Sequence, residues 1–222
     1  MILVTGFGPY REDINVSGEL VASLKSDFPK ELLPLKGQLA LEVITCDDSS
    51  RETEHQTLED QLVNLLKAHD PDLCIFMGQA PPYNKITIEK IAINSFMKEI
   101  IDPLRPVAYS SDLPGIDDLP RVLEERNIPA AHSFYAGQHL CNHILYSSLD
   151  IAEKNKLRHK SGFIHIPILP EQARKGYRDA PVMPLEMSRK ALSITINHIF
   201  ESHRHNHAFN RTSGTLRAPS SG

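Results

Sequence analysis

The sequence predicts a three-layer α/β/α sandwich whose twisted sheet is mostly parallel and contains one antiparallel strand. Three observations point to it. Short apolar runs recur at residues 2–5, 41–45, 73–77, 86–93 and 163–168, and the first and third run straight into Gly6 and Gly78, as expected of strands covered by helices on both faces. Stripes of helical period lie between most of these runs, and right-handed crossovers would put such helices on both sides of the sheet. Only Pro81-Pro-Tyr-Asn84 and its short flanks separate the third run from the fourth, too little chain for a helical crossover, so that strand is expected to run antiparallel.

The elements follow in chain order. After the first strand, Leu20, Val21, Leu24 and Phe28 form a short amphipathic stripe. Leu58, Leu62, Leu65 and Leu66 repeat at i, i+4, i+7 and i+8, and Thr53 with Gln56 ahead of them has the form of a capping box. Residues 95–120, rich in Pro, Asp and Ser and poor in periodicity, read as an irregular excursion over one sheet edge. Leu140, Ile144, Leu145 and Leu149 mark a helix that begins just after Gly137. A last helix, about residues 185–201, rests on Met187, Ala191, Leu192, Ile196 and Ile199, with Pro184 suited to its first turn. Beyond Ser202 the chain turns polar and histidine-rich, a composition that does not repay the entropy of ordering. One domain over 1–202 and a frayed tail over 203–222 are expected.

Composition bounds the function. The 222 residues are 41% hydrophobic, enough for a full core, and 24 Lys and Arg against 28 Asp and Glu leave a net charge of −4. No basic surplus exists to neutralise phosphates, so nucleic acid is not an expected partner. The sequence contains neither a long apolar window nor a charged leader after Met1, so a soluble, cytoplasmic protein without a membrane partner is expected. Three scattered cysteines, Cys46, Cys74 and Cys141, suit a reducing compartment and have no zinc spacing. Gly6-Phe-Gly8 lacks the third glycine of a nucleotide-binding turn, and Pro9 interrupts the helix start. His203, His205 and His207 lie in the polar tail, where solvation is the expected role. No metal and no cofactor are called for.

Cys141 stands apart from the other two thiols. Cys46 and Cys74 fall in strand-like runs, whereas Cys141 follows Ala136-Gly-Gln-His-Leu140 where the chain enters a helix. Unpaired N–H groups of a first turn favour a thiolate and can donate to an oxyanion. A helix terminus supplies about 0.3–1 kcal/mol, or ~2 when partly buried, roughly one pKa unit. A neighbouring base is therefore needed. His165, in Phe163-Ile-His-Ile-Pro-Ile168, lies near a strand's carboxyl end, the rim on which α/β sheets carry their sites. Glu89 is a carboxylate inside Ile86-Thr-Ile-Glu-Lys-Ile-Ala-Ile93, costly to bury without a partner. Nucleophile, base and orienting carboxylate would then be Cys141, His165 and Glu89. The competing readings are a structural cysteine, a satisfied core imidazole and a solvent-facing glutamate paired with Lys90. His139 and His143 flank Cys141 at a spacing that turns helical side chains away from it.

On these residues the chain resembles pyroglutamyl-peptidase I, also called pyrrolidone-carboxylate peptidase, a family of cysteine peptidases. The resemblance runs from residue 2 to the last helix. It rests on Val4-Thr-Gly-Phe-Gly-Pro-Tyr10, Gly78-Gln-Ala80 with Ile88-Glu-Lys-Ile-Ala-Ile-Asn94, Ala136-Gly-Gln-His-Leu-Cys-Asn-His143, and Phe163-Ile-His-Ile-Pro-Ile-Leu-Pro-Glu-Gln172. It puts the family's catalytic glutamate, cysteine and histidine on Glu89, Cys141 and His165. It implies removal of an N-terminal pyroglutamyl residue from peptides through a thioester, with Phe7 and Tyr10 flanking the lactam and Gln79 and Leu140 bordering it. It also implies a homo-oligomer, dimer or tetramer. The sequence departs from the family in several places, among them a loop after Tyr10 one residue short and an abbreviated segment over residues 95–106. Pro81-Pro-Tyr-Asn84 stands where a glycine-rich link is common, and Asn15-Val-Ser17 where Asn-Pro-Ser is common. Lys98 and Glu99 occupy the neighbourhood of a family arginine. The last departure leaves a second expectation beside the enzyme: a weakened or inactive homologue that binds pyroglutamyl peptides.

Overall fold

The computed structural model describes residues 1–10, 13–46, 51–175, 177 and 179–213, without the side chains of 51–56 and 207–213. Its central sheet has the order β2-β1-β3-β8-β4-β7, with β1 (Ile2–Phe7), β2 (Leu39–Ile44), β3 (Leu73–Gln79), β4 (Ile86–Glu89), β7 (Ala130–Ser133) and β8 (Lys160–Ile166). All neighbours are parallel except β4 and β8. The expected antiparallel strand is thus β4.

Alternation along the strands sets the two helical layers. Ile2, Val4, Ile75, Met77, Ile164 and Ile166 face α1 (Val16–Ser26), α3 (Leu119–Glu124) and α6 (Leu185–Ser213), while Leu3, Cys74, Phe76 and Phe163 face α2 (Arg51–His69) and α4 (Leu140–Asn155). Strands buried on both faces need such continuous apolar runs. Asn15 caps α1, its side chain accepting from the Ser17 N–H at 3.1 Å. Gly6 lets that helix start close on β1: a Cβ there would lie 2.1 Å from the Ser17 carbonyl oxygen.

Several boundaries differ from expectation. Residues 86–93 are two strands, because the chain leaves the sheet at Lys90. The Lys90 N–H donates to the Ser133 carbonyl (2.7 Å), its carbonyl accepts from Ser111 N–H (2.9 Å), and its ammonium pairs with Asp117. β5 (Ile91–Ile93) then forms a separate two-stranded sheet with β6 (Ala108–Ser110) inside the segment expected to be irregular. That segment's end holds α3, and β7 follows. Ala-Ala-His-Ser carries too little β-branched or aromatic character to announce the strand. A 3₁₀ segment (Lys30–Gln38) and α5 (Pro170–Lys175) were likewise not anticipated. α2 already includes Thr53 and Gln56, so they do not precede it; their side chains lie outside the described residues. α6 runs on to Ser213 instead of ending at Glu201, no Gly or Pro intervening before Gly214. Residues 214–222 of the expected tail lie outside the described residues.

Candidate active site

The carboxyl ends of β3 and β8 make the floor of the site. They run parallel in register, Gly78 opposite His165. On the antiparallel side Thr87 is opposite His165, so Glu89, two residues on, points to the same face of β4. His165 Nδ1–H donates to Glu89 Oε1 at 2.7 Å. Glu89 is fully buried, and its Oε2 has no hydrogen-bond partner among the described residues. The imidazole is held between Phe163 (centroids 4.8 Å, 61°) and Tyr83 (5.4 Å, 83°), two near-perpendicular ring contacts.

Cys141 comes from the opposite layer, in the first turn of α4 after the extended N-cap residue His139. Its thiol rests on Gly78, where an added Cβ would lie 2.9 Å from Sγ and 2.8 Å from Phe163 Cζ. From there it acts electrostatically on the His165 side chain. Burial alone would lower the histidine's affinity for a proton. The Cys141 and Glu89 charges and the hydrogen bond to Glu89 outweigh it and raise the pKa to about 9. The arrangement can hold an imidazolium between a thiolate and a carboxylate. Cys74 contrasts with it: burial pushes its thiol up to about 12, against a hydrogen bond from Ser161.

A cavity of about 290 Å³ opens above Cys141, lined also by Phe7, Tyr10, Gln79 and Leu140. All seven side chains singled out in the sequence therefore converge on one end of the sheet. Gln79 is oriented by its own amide oxygen, which accepts from Gln172 Nε2 (2.8 Å) and the Val16 N–H (3.3 Å). Lys98 is not part of this cavity. It is exposed, in a turn where Met97 and Lys98 have φ of 49° and 71°.

The sequence model of a family described as pyroglutamyl peptidase matches residues 1–202. The chain belongs to the pyroglutamyl peptidase family. A pyrrolidone-carboxylate peptidase of Caldanaerobacter subterraneus subsp. tengcongensis is 32% identical over 215 residues, spanning 90% of this chain and 98% of that protein. One from Brachyspira hyodysenteriae is 35% identical, spanning 87% and 96%. Among solved structures, a mutant pyrrolidone carboxyl peptidase from Pyrococcus furiosus superposes with a TM-score of 0.76 at 32% identity, covering 90% of this chain and 98% of that one. The pyroglutamyl peptidase I of Bacillus amyloliquefaciens gives 0.75 at 29%, covering 89% and 93%.

Within this pyroglutamyl peptidase frame, the residues that sequence reasoning missed are those placed by loop geometry. Cys46 was expected within a strand. β2 ends at Ile44, so Cys46 instead joins the cavity wall with Asn15, His139 and Tyr177. His139 reaches the cavity because an N-cap residue has extended backbone (φ −126°, ψ −158°), to which helical spacing does not apply. His143 does turn away, into buried contact with Phe96 (5.0 Å) and 3.7 Å from Glu59. Asn142 had a signal, adjacency to Cys141. Its amide accepts from the Ile93 N–H (2.8 Å) and donates to the Ile93 and Ser95 carbonyls (2.9 and 2.8 Å), tying the first turn of α4 to β5.

Proposed function

We propose that Cys141, His165 and Glu89 are the nucleophile, the acid–base and the orienting carboxylate of a cysteine peptidase that removes an N-terminal pyroglutamyl residue from peptides. The observation that carries this reading is the pairing of His165 with Glu89 Oε1 at 2.7 Å, with the Cys141 thiol packed on Gly78, the residue opposite His165 in the sheet. In that arrangement the thiolate attacks the carbonyl carbon outside the lactam, and the tetrahedral oxyanion is met by the Cys141 backbone N–H at the start of α4. His165 gives its proton to the departing amine, leaving a thioester. It then takes a proton from the water that hydrolyses this ester, while Glu89 keeps the ring oriented and stabilises its charge.

The lactam is compact, uncharged and polar along one edge. Phe7, Tyr10 and Leu140 supply apolar walls and Gln79 an oriented amide, a lining suited to such a ring. The relatives are named as peptidases, which supports turnover over a binding-only role. The same reading takes residues 1–202 as the working domain, with 203–222 as an appendage. It takes the cytoplasm as the compartment, consistent with three cysteines scattered far apart in the sequence, and a dimer or tetramer as the assembly. No helix among the described residues is long and apolar enough to cross a membrane.

Release of a fluorophore from a pyroglutamyl amide tests the assignment. Cys141→Ala and Cys141→Ser should abolish it and leave the fold's melting transition in place; turnover at the parent rate in Cys141→Ala would refute it.

A further inference from the structure

Alongside the cavity above Cys141 runs a second, more open groove of about 700 Å³, lined by Pro81, Pro82, Lys175, Tyr177, Asp179 and Pro181. The two adjoin, Pro81 and Tyr177 belonging to the walls of both. From the proposed function, on which this inference rests, we infer that the groove holds the peptide downstream of the pyroglutamyl residue and that Lys175 selects a carboxylate carried by that segment.

Chemistry at the groove favours this occupant. A substrate acyl group seated between Phe7 and Tyr10 must send its leaving chain out of the cavity, and Pro81 with Tyr177 forms a shared wall along which it can pass. Proline has no N–H to donate, so Pro81, Pro82 and Pro181 cannot pair with an extended backbone as a sheet edge would. They present rigid apolar surface, which accepts many side chains and discriminates little among them. The floor is fixed, not pliable: the Ala80 N–H donates to the Ile166 carbonyl (2.9 Å) and the Tyr83 N–H to the Ala80 carbonyl (3.0 Å), closing a turn around both prolines. Charge is then the remaining means of selection. Among the described residues the lining carries one cation, Lys175, and one carboxylate, Asp179, which would repel a carboxylate placed on its own side of the groove. Lys175 ends α5 with a side chain 65% exposed, its ammonium 3.6 Å from an Asp13 carboxylate that is itself 87% exposed. An exposed pair of this kind contributes little and exchanges readily for another carboxylate.

The carboxylate can be a peptide C-terminus or an acidic side chain, and two substrate sets separate these sources. The first is pyroglutamyl peptides with one, two or three alanines, each as free acid and as C-terminal amide. The second is amidated pyroglutamyl peptides with glutamate replacing one alanine in turn. For full-length enzyme, kcat/KM should be about twofold to fivefold higher for the carboxylate-bearing member of a pair at one preferred length or position, the range an exposed ion pair supports. A preference confined to the first set assigns the C-terminus; one confined to the second assigns the side chain. Lys175→Glu should reverse the preference and leave hydrolysis of the pyroglutamyl fluorophore amide, which has no downstream peptide, at the parent rate. Equal rates across every pair, or a preference that Lys175→Glu leaves intact, would overturn the assignment while the peptidase reading stood. Failure of the parent enzyme to cleave any pyroglutamyl substrate would overturn both.

Discussion

Glu89 is the residue on which the electrostatics of the site turn. A fully buried carboxylate with one oxygen on His165 and the other without a partner among the described residues is costly unless the imidazole carries charge. Glu89→Gln keeps the shape and removes the charge. It should move the alkaline limb of the pH–rate profile, set in the parent by a His165 pKa of about 9, to lower pH. It should also lower kcat/KM about tenfold or more, since orienting carboxylates of such triads act through the base. Steady-state rates from pH 5 to 10 check both. Tyr83 bears on the same histidine from outside, the two ring centroids 5.4 Å apart in an edge-on contact. Its own hydroxyl is held protonated to higher pH by burial, with the Glu89 charge adding and a Ser133 hydrogen bond opposing. Tyr83→Gly, which would open the His165–Glu89 pair to water, should shift the pH dependence of Cys141 alkylation by iodoacetamide. Tyr83→Phe, which retains the ring contact, should shift it much less. Identical profiles for all three proteins would remove Tyr83 from the positioning machinery.

At the scale of elements, three junctions bring the side chains together: β3 beside β8, β4 antiparallel to β8, and α4 starting over Gly78. The last is the tightest. A methyl group at Gly78 would press on Phe163 at 2.8 Å and on Cys141 Sγ at 2.9 Å, so one or both must shift. Gly78→Ala should therefore lower stability by about 1–3 kcal/mol, the usual cost of overpacking. It should also slow hydrolysis by about tenfold or more, because small misplacements of reacting groups are expensive. Urea unfolding and the fluorophore assay give the two numbers; a variant unchanged in both would mean that α4 can ride up without penalty. The other elements of the site are fastened to α4 by side chains. Asn142 binds β5, and the Arg105 guanidinium pairs with Asp150 while Tyr109 donates to the same carboxylate at 2.9 Å. The excursion that looked irregular in sequence is thus anchored to the helix that bears the proposed nucleophile.

For the whole molecule, the buried His165 couples stability to pH. Its folded pKa of about 9 lies above the ordinary 6.5, so its contribution is complete below about 6.5 and is lost as pH rises through about 9. A chain ending at Ser202 should keep the fluorophore-releasing activity and a melting temperature within a few degrees of the full protein. Ile196 and Ile199 stay in the core, and the Ser202 hydroxyl still packs against Gly115. A larger drop would show that the α6 extension to Ser213 belongs to the domain. Much of this architecture was legible in one dimension, because apolar runs and helical stripes are local consequences of burying one face or two. That logic found β1, β3 and β8, the amphipathic faces of α1 and α4, and the antiparallel β4. It also isolated Glu89, His165 and Cys141, since a carboxylate or imidazole in an apolar strand and a thiol at a helix start are chemically anomalous where they stand. The sequence could not reveal β7, the break at Lys90 or the entry of Cys46 and Tyr177 into the cavity wall. Those depend on which strand lies beside which, and on loops whose course is set by contacts between residues far apart in the chain. Sequence by itself determined which side chains needed partners; tertiary structure alone decided that they are one another's, because only the insertion of β8 between β3 and β4 brings distant segments within hydrogen-bonding reach.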